Sequence, residues 1–146
     1  MKTIALRFSN SFAPECGTIQ SHQALIDQDG FVWYGKLGSK VSSGIADIIL
    51  KNDHPRILLI HSGAVQRYWA YIDKIDYITP PLQEIPEYYR HRAAEFKTWF
   101  RVRSFELAPK DILSHCVVAS SGTILSKASR HSMSPYFIIE TDQVDD

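Results

Sequence analysis

Four aromatic clusters in the sequence have the residue types that bind a planar ligand. They are Trp33-Tyr34-Gly35-Lys36, Tyr68-Trp69-Ala70-Tyr71, Tyr88-Tyr89-Arg90 and Trp99-Phe100-Arg101. A nucleic-acid base stacked on such a ring gains about 1–3 kcal/mol of binding energy. Because adjacent side chains of a strand point to opposite faces, one ring of each strand pair is expected in the core and the other beside a pocket. Packing of all these rings in the core of a small sheet is the alternative.

A run of basic residues follows the third cluster. Arg90, Arg92, Lys97, Arg101 and Arg103 supply five cations within fourteen residues, with Glu95 as the only acid between them. The sixteen basic and sixteen acidic side chains of the whole chain cancel, so a nucleic-acid backbone would have to be bound by a local patch. The run, together with Lys36, therefore predicts salt-sensitive phosphate contacts. A solvated strand face is the alternative.

Patterns typical of catalysis or metal binding are missing from the sequence. The six histidines have no HxxxH or HExxH spacing, and Cys16 and Cys116 form no CxxC pair. His61-Ser62-Gly63 lacks the first glycine of a nucleophile elbow. Gly35 to Lys40 lacks the residue order of a phosphate-binding loop. We therefore predict no catalytic residue, no metal and no cofactor. In the alternative hypothesis of an enzyme, Cys16 or His61 is the candidate catalytic residue.

Hydrophobic periodicity predicts the elements that position these residues. Alternation indicates a strand over 3–8 with one buried side, a strand over 66–78 with Ile72 and Ile75 on opposite faces, and a strand over 98–107 with Phe105 on the opposite face from Phe100. A β-prone run indicates a strand over 31–36, an apolar run indicates a central strand over 56–61, and a final strand is predicted over 134–141. One short helix is predicted with Thr18 as its cap and His22 on its inner face, and a second with Ser42 or Ser43 as its cap and Ile45, Ile48 and Ile49 buried. A short helical or irregular insertion is predicted over 86–92, and helical turns are predicted over 109–113 and 124–129. Regular alternation of strands and helices stops early, which argues against a doubly wound parallel sheet. The prediction is an α+β fold, a small curved sheet or pseudo-barrel with short peripheral helices.

One domain accounts for the whole length. A chain of 146 residues that is 45% hydrophobic and 22% charged has the size and composition of a single globular domain. We expect that domain to span residues 1–146, with a frayed acidic C-terminal end, DQVDD. The N-terminus lacks the apolar core and cleavage site of a signal peptide. No apolar run approaches the roughly 20 residues of a membrane span, so a cytoplasmic protein is expected.

Five stretches of the chain resemble the PUA-like superfamily, particularly its EVE, YTH and ASCH branches. They read GFVWYGKLGSKVS, RILLIHSG, YWAYIDKID, PEYYR and TWFRV, and the resemblance spans residues 3–107. In those folds a Trp-containing early strand lies beside a strand that ends in a small polar turn, and a further strand completes a small barrel. The chain departs from the better-known branches at its first strand, where LRFSN replaces their usual Trp-containing strand.

The resemblance implies a pseudo-barrel that holds a flipped or unpaired, often modified, base in an aromatic cage. Such domains commonly act as readers in RNA metabolism or in defence against foreign DNA. By position, Trp33 and Tyr34 correspond to pocket aromatics. Ser9 and Asn10, after the first strand, correspond to polar contacts to the base edge, and Ser62 and Gly63 correspond to the turn that approaches the ligand.

Three functions from different classes are compatible with the sequence. The leading hypothesis is a module that binds RNA, DNA or a nucleotide by holding a base in an aromatic pocket. The alternatives are an enzyme that acts on a nucleotide or small molecule, and a protein-interaction or inhibitor module whose exposed rings are hot spots. The leading hypothesis predicts that at least one of Trp33, Tyr34 and Trp69 is solvent-accessible within a cavity.

Overall fold

Seven strands form one mixed sheet in the computed structural model, which describes residues 1–8, 16–61, 66–132 and 134–142. The strands are β1 (Lys2–Phe8), β2 (Val32–Lys36), β3 (Arg56–His61), β4 (Tyr68–Asp76), β5 (Thr98–Leu107), β6 (Cys116–Val118) and β7 (Tyr136–Thr141). Their order is β2-β5-β4-β3-β1-β7-β6. β1 and β3 run parallel, and the other neighbouring pairs run antiparallel. The predicted α+β fold is confirmed, and β6 is a short strand that the sequence pattern did not indicate.

Short helices surround this sheet. They are α1 (Thr18–Asp29), α2 (Ser43–Leu50) and α3 (Leu125–His131), with 3-10 segments at Leu82–Glu84, Glu87–Glu95 and Ile112–His115. The predicted Thr18 cap is wrong, because α1 follows Gly17 without a side-chain cap. Ser42 does cap α2, since its hydroxyl accepts a hydrogen bond from the Ile45 amide at 3.3 Å. Within the described ranges, no helix has the length and apolar character needed to cross a bilayer.

The central strands are buried on both faces. Ile4, Leu6 and Phe8 pack into one apolar cluster, which α1 and α2 cover, whereas Ala5 packs into a second cluster on the opposite face. Alternation in β1 therefore separates two cores rather than a core from solvent, and the predicted single buried side is wrong. Ile48 was expected to be buried in α2 but is 39% exposed.

Register shifts between β4 and β5 redirect several side chains. On either side of Ile72 the pairing shifts by one residue, which leaves Asp73 on β4 and Arg103 on β5 without a partner across the ladder. Each extra residue reverses the alternation beyond it. Ile75 and Phe105 consequently pack against the same cluster as Ile72. Simple alternation predicted both on the opposite face, and that prediction is wrong.

Candidate functional site

A cavity of about 490 Å³ lies where β1, β2 and β3 end, next to the start of α1 and the segment Glu87–Glu95. This volume is within the range of small-molecule sites, roughly 300–1,000 Å³. Its aromatic lining consists of Phe8, Tyr34, Tyr88, Tyr89 and Phe96. Arg7, Lys36 and Arg92 contribute basic groups, and no Asp or Glu of the described residues lines it. The cavity thus combines ring surfaces with positive charge.

The aromatic wall is held together by ring-to-ring contacts. The His22 ring lies 5.0 Å from the Tyr34 ring and 5.7 Å from the Tyr89 ring, measured between centroids. Tyr89 also packs edge-to-face on Tyr88 at 4.8 Å and on Phe96 at 5.1 Å. Edge-to-face pairs of this kind are favourable and specific in geometry. The rings are therefore oriented by one another before any ligand arrives.

His22 ties three elements together at the base of this wall. Burial lowers the pKa of His22 to about 4, so the imidazole is neutral at physiological pH. Its Nδ1 donates to the Thr18 carbonyl at 2.8 Å, which leaves Nε2 to accept from the Tyr89 hydroxyl at 2.9 Å. The Tyr89 hydroxyl also lies 3.1 Å from the Trp33 carbonyl oxygen. Because the hydroxyl has one proton, it donates to either His22 Nε2 or this carbonyl at any one time. His22 and the Tyr89 hydroxyl together therefore connect α1, the segment Glu87–Glu95 and β2.

Two polar groups of the cavity lining have no protein partner among the described residues. The Tyr34 hydroxyl makes no hydrogen bond to the described residues. It is not fully enclosed, so it is accessible from the cavity. Burial raises the pKa of Tyr34 well above its usual value, so the hydroxyl stays protonated and can donate. The Nδ1 of His61 is enclosed and unpaired, with the Phe8 ring edge-on at 5.0 Å. An unpaired buried polar atom costs about 1–3 kcal/mol, and a ligand that hydrogen-bonds to it removes that cost.

The three predicted pocket rings occupy different environments. Tyr34 lines the cavity and is 8% exposed. Trp33 is 5% exposed, and its indole Nε1 donates to the Glu84 carboxylate at 3.0 Å on the far side of β2 from Tyr34. Trp69 is 0% exposed and packs in the cluster of Ala5, away from the cavity. Tyr34 is therefore the one of the three that lines this cavity.

The predicted phosphate-binding residues are spread over two regions. Lys36 and Arg92 line the cavity. Arg101 and Arg103 lie on β5 and share the Asp73 carboxylate, at 2.7 Å and 3.7 Å. Of the other two, Lys97 is exposed, and the Arg90 guanidinium donates to the Ile85 carbonyl at 2.8 Å. The basic run is not one continuous track of uncompensated charge.

The predicted base-edge contacts, Ser9 and Asn10, and the predicted ligand-approaching turn, Ser62 and Gly63, lie outside the described residues. Their sequence neighbours Phe8 and His61 line the cavity. Sequence reasoning did not assign Phe8, His22 or Phe96 to the site, although His22 was correctly expected on the inner face of α1.

Cys16, one of the two residues of the enzyme hypothesis, has no catalytic partner among the residues that the structure describes. Cys16 is exposed, and within the described residues its sulfur has hydrogen-bond contacts with Gly17 and Ser21 alone. Neither group is a base that would activate a thiol. In the same part of the chain, no three His, Cys, Asp or Glu side chains converge to hold a metal ion.

Gly35 allows β2 to pack closely against the aromatic wall. A Cβ at this position would lie 2.9 Å from Phe96 Cγ and 2.9 Å from Trp99 Cζ3. We expect Gly35→Ala to lower the free energy of unfolding by at least about 1 kcal/mol, because both rings are packed and cannot yield freely. Gly44→Ala is the matched control, since no atom lies within 4 Å of that Cβ and alanine is favoured in helices. Urea unfolding measures both, and wild-type stability of Gly35→Ala would contradict the close packing.

Comparison with known proteins gives one result. A family model described as Pua-like matches residues 4–136. Every described residue that lines the cavity falls within this range. No curated protein and no solved structure matches the chain.

Proposed function

The chain belongs to the Pua-like family, and we propose that it is a module that binds a nucleic-acid base or nucleotide in the cavity of Tyr34. The observation that carries this proposal is an aromatic cavity whose described lining includes basic groups and the Tyr34 hydroxyl, which has no hydrogen-bond partner among the described residues. A base needs a ring surface for stacking and a few hydrogen bonds for its edge. Both requirements are met by described residues of one cavity.

The proposed roles follow from the geometry of each residue. Tyr34 stacks on the base or donates its free hydroxyl to the base edge, and Tyr88 provides a second ring at the mouth, where it is only partly buried. Arg92, with Arg90 and Lys97 in the neighbouring stretch, is proposed to contact the strand that carries the base.

Ser9 and Asn10 remain proposed contacts to the base edge, and Ser62 and Gly63 remain the proposed turn beside the ligand, because of their positions in the sequence. Trp33 and Trp69 are proposed as core residues that support the sheet, because both are almost fully enclosed. Arg101 and Arg103 are left out of the proposed interface, since neither lines the cavity and both lie next to the Asp73 carboxylate.

A titration with short single strands tests the proposal. The panel comprises RNA and DNA oligonucleotides with unmodified and methylated bases, followed by fluorescence at several salt concentrations. We expect binding whose log affinity falls with log salt by roughly 0.7 for each phosphate neutralised. Arg92→Gln should reduce that slope by about the same amount. Arg130→Gln, an exposed arginine on α3, should leave it unchanged. The absence of binding by every oligonucleotide at low salt would refute the proposal.

A further inference from the structure

We infer that the ligand carries an anionic group that pairs with the Lys36 ammonium inside the cavity, and that bases bearing a positive charge are rejected. This inference rests on the proposed function and adds the charge class of the ligand. The anionic group of a nucleotide is its phosphate, either terminal or within a strand.

Lys36 is an unusual lysine because it is almost fully buried. It lies at the end of β2, is 5% exposed and lines the cavity. Its Nζ donates to the carbonyls of Leu37 at 3.0 Å and Ser39 at 2.6 Å, and it lies 4.4 Å from the centre of the Tyr136 ring. Carbonyl dipoles and a ring face stabilise an ammonium without neutralising it.

No carboxylate among the described residues compensates this charge. Lys36 forms no ion pair there, and burial lowers the pKa of its ammonium with no opposing charge to raise it. A buried charge that lacks a counter-charge is unfavourable, and a cavity ligand with a negative group would supply one. The ammonium is already held in place by two carbonyls, so an arriving anion meets an ordered cation.

The remaining lining residues strengthen the selection for an anion. Arg7, whose guanidinium donates to the carbonyls of Ser129, Ser132 and Ser134, also lines the cavity. Arg92 is paired with Glu95 at 3.0 Å, and that carboxylate is not part of the lining. Aromatic faces attract cations as well as bases. In this cavity, however, a cationic base would face the Lys36 ammonium, and no Asp or Glu of the described residues lines the cavity, so repulsion opposes that attraction.

Isothermal titration with small ligands tests the inference. The probes are the four ribonucleosides, their 5′-monophosphates, a trinucleotide, and two nucleosides that are cationic at neutral pH, 1-methyladenosine and 3-methylcytidine. We expect at least one monophosphate to bind about tenfold or more tightly than its nucleoside, and the cationic nucleosides to bind more weakly than adenosine and cytidine. Comparison of the trinucleotide with the monophosphates shows whether a terminal or an internal phosphate is preferred.

Variants that remove one positive charge show which residue causes the tighter binding of monophosphates. Lys36→Met keeps the aliphatic chain and should abolish the advantage of the monophosphate, whereas Lys36→Arg should retain much of it. Lys40→Met is the matched control, because Lys40 is exposed, lies over the Tyr77 ring and is not part of the cavity. If Lys36→Met does not fold, the affinities of the wild-type protein for nucleosides and monophosphates still test the inference.

The outcomes separate the inference from the proposed function. Equal affinity for nucleosides and monophosphates, or preferential binding of a cationic nucleoside, would overturn the anion inference while the cavity would still be a base site. Failure of nucleosides, monophosphates and trinucleotide alike to bind would overturn the proposed function, and the inference with it.

Discussion

Trp69→Ala is expected to lower the free energy of unfolding by about 3–5 kcal/mol, the usual effect of removing a large ring from a packed core. Trp69 is 0% exposed and packs with Leu58 and Ile60 on the same face of the sheet as Ala5. The Arg56 guanidinium lies 4.2 Å from the centre of its ring, so the substitution also removes a buried cation–π contact. Urea denaturation measures the change directly.

The same variant separates a core ring from a ligand-binding ring. At a temperature where Trp69→Ala is still folded, its affinity for a nucleotide should equal that of the wild type, because the ring does not line the cavity. Trp69→Phe is the control, since it keeps a ring in the core and should recover part of the lost stability. A Trp69→Ala protein of normal stability with weakened nucleotide binding would show that the ring is part of the ligand site.

Tyr34→Leu is expected to have the opposite profile, a loss of ligand affinity of about 5- to 150-fold. This range corresponds to the roughly 1–3 kcal/mol that stacking of one base contributes. Tyr34→Phe keeps the ring but removes the hydroxyl, which has no partner in the described structure. Its loss should be smaller, about 0.5–1.5 kcal/mol for one hydrogen bond. Titration of both variants with the tightest-binding nucleotide measures these effects.

The stability of these variants must be measured beside their affinity, because the Tyr34 ring also packs against His22. Tyr68→Leu provides a control from another of the aromatic clusters, since Tyr68 lies on β4 and does not line the cavity. Wild-type affinity of Tyr34→Leu would remove Tyr34 from the ligand site. An equal loss of affinity in Tyr68→Leu would mean that the effect is not specific to the cavity.

The strands and helices could be predicted because each has a local pattern. Alternation located β1 and β5, an apolar run located β3, and a serine cap located the start of α2. The register shifts in β4 and β5 could not be predicted, because they arise from pairing between strands that are about 30 residues apart in sequence. For this reason Ile75 and Phe105 lie on the opposite face of the sheet from the one that simple alternation predicts.

The candidate site could be predicted only in part. Alternation cannot distinguish Tyr34 from Trp69 as a pocket ring, because both faces of the central sheet are buried and each ring has apolar neighbours. Phe8, His22 and Phe96 meet only when β1, α1 and the end of Glu87–Glu95 come together in three dimensions. The partner that compensates Arg101 comes from β4, which proximity in sequence does not reveal.

Nuclear Overhauser effects between a bound nucleotide and the protein test the central claim most directly. The nucleoside monophosphate that binds most tightly is added to labelled wild-type protein, and contacts from its base protons to aromatic side chains are recorded. We expect these protons to contact the rings of Tyr34 and Tyr88, which line the cavity. Base contacts confined to rings outside it, such as Phe31 or Tyr77, with none to Tyr34, would contradict the account.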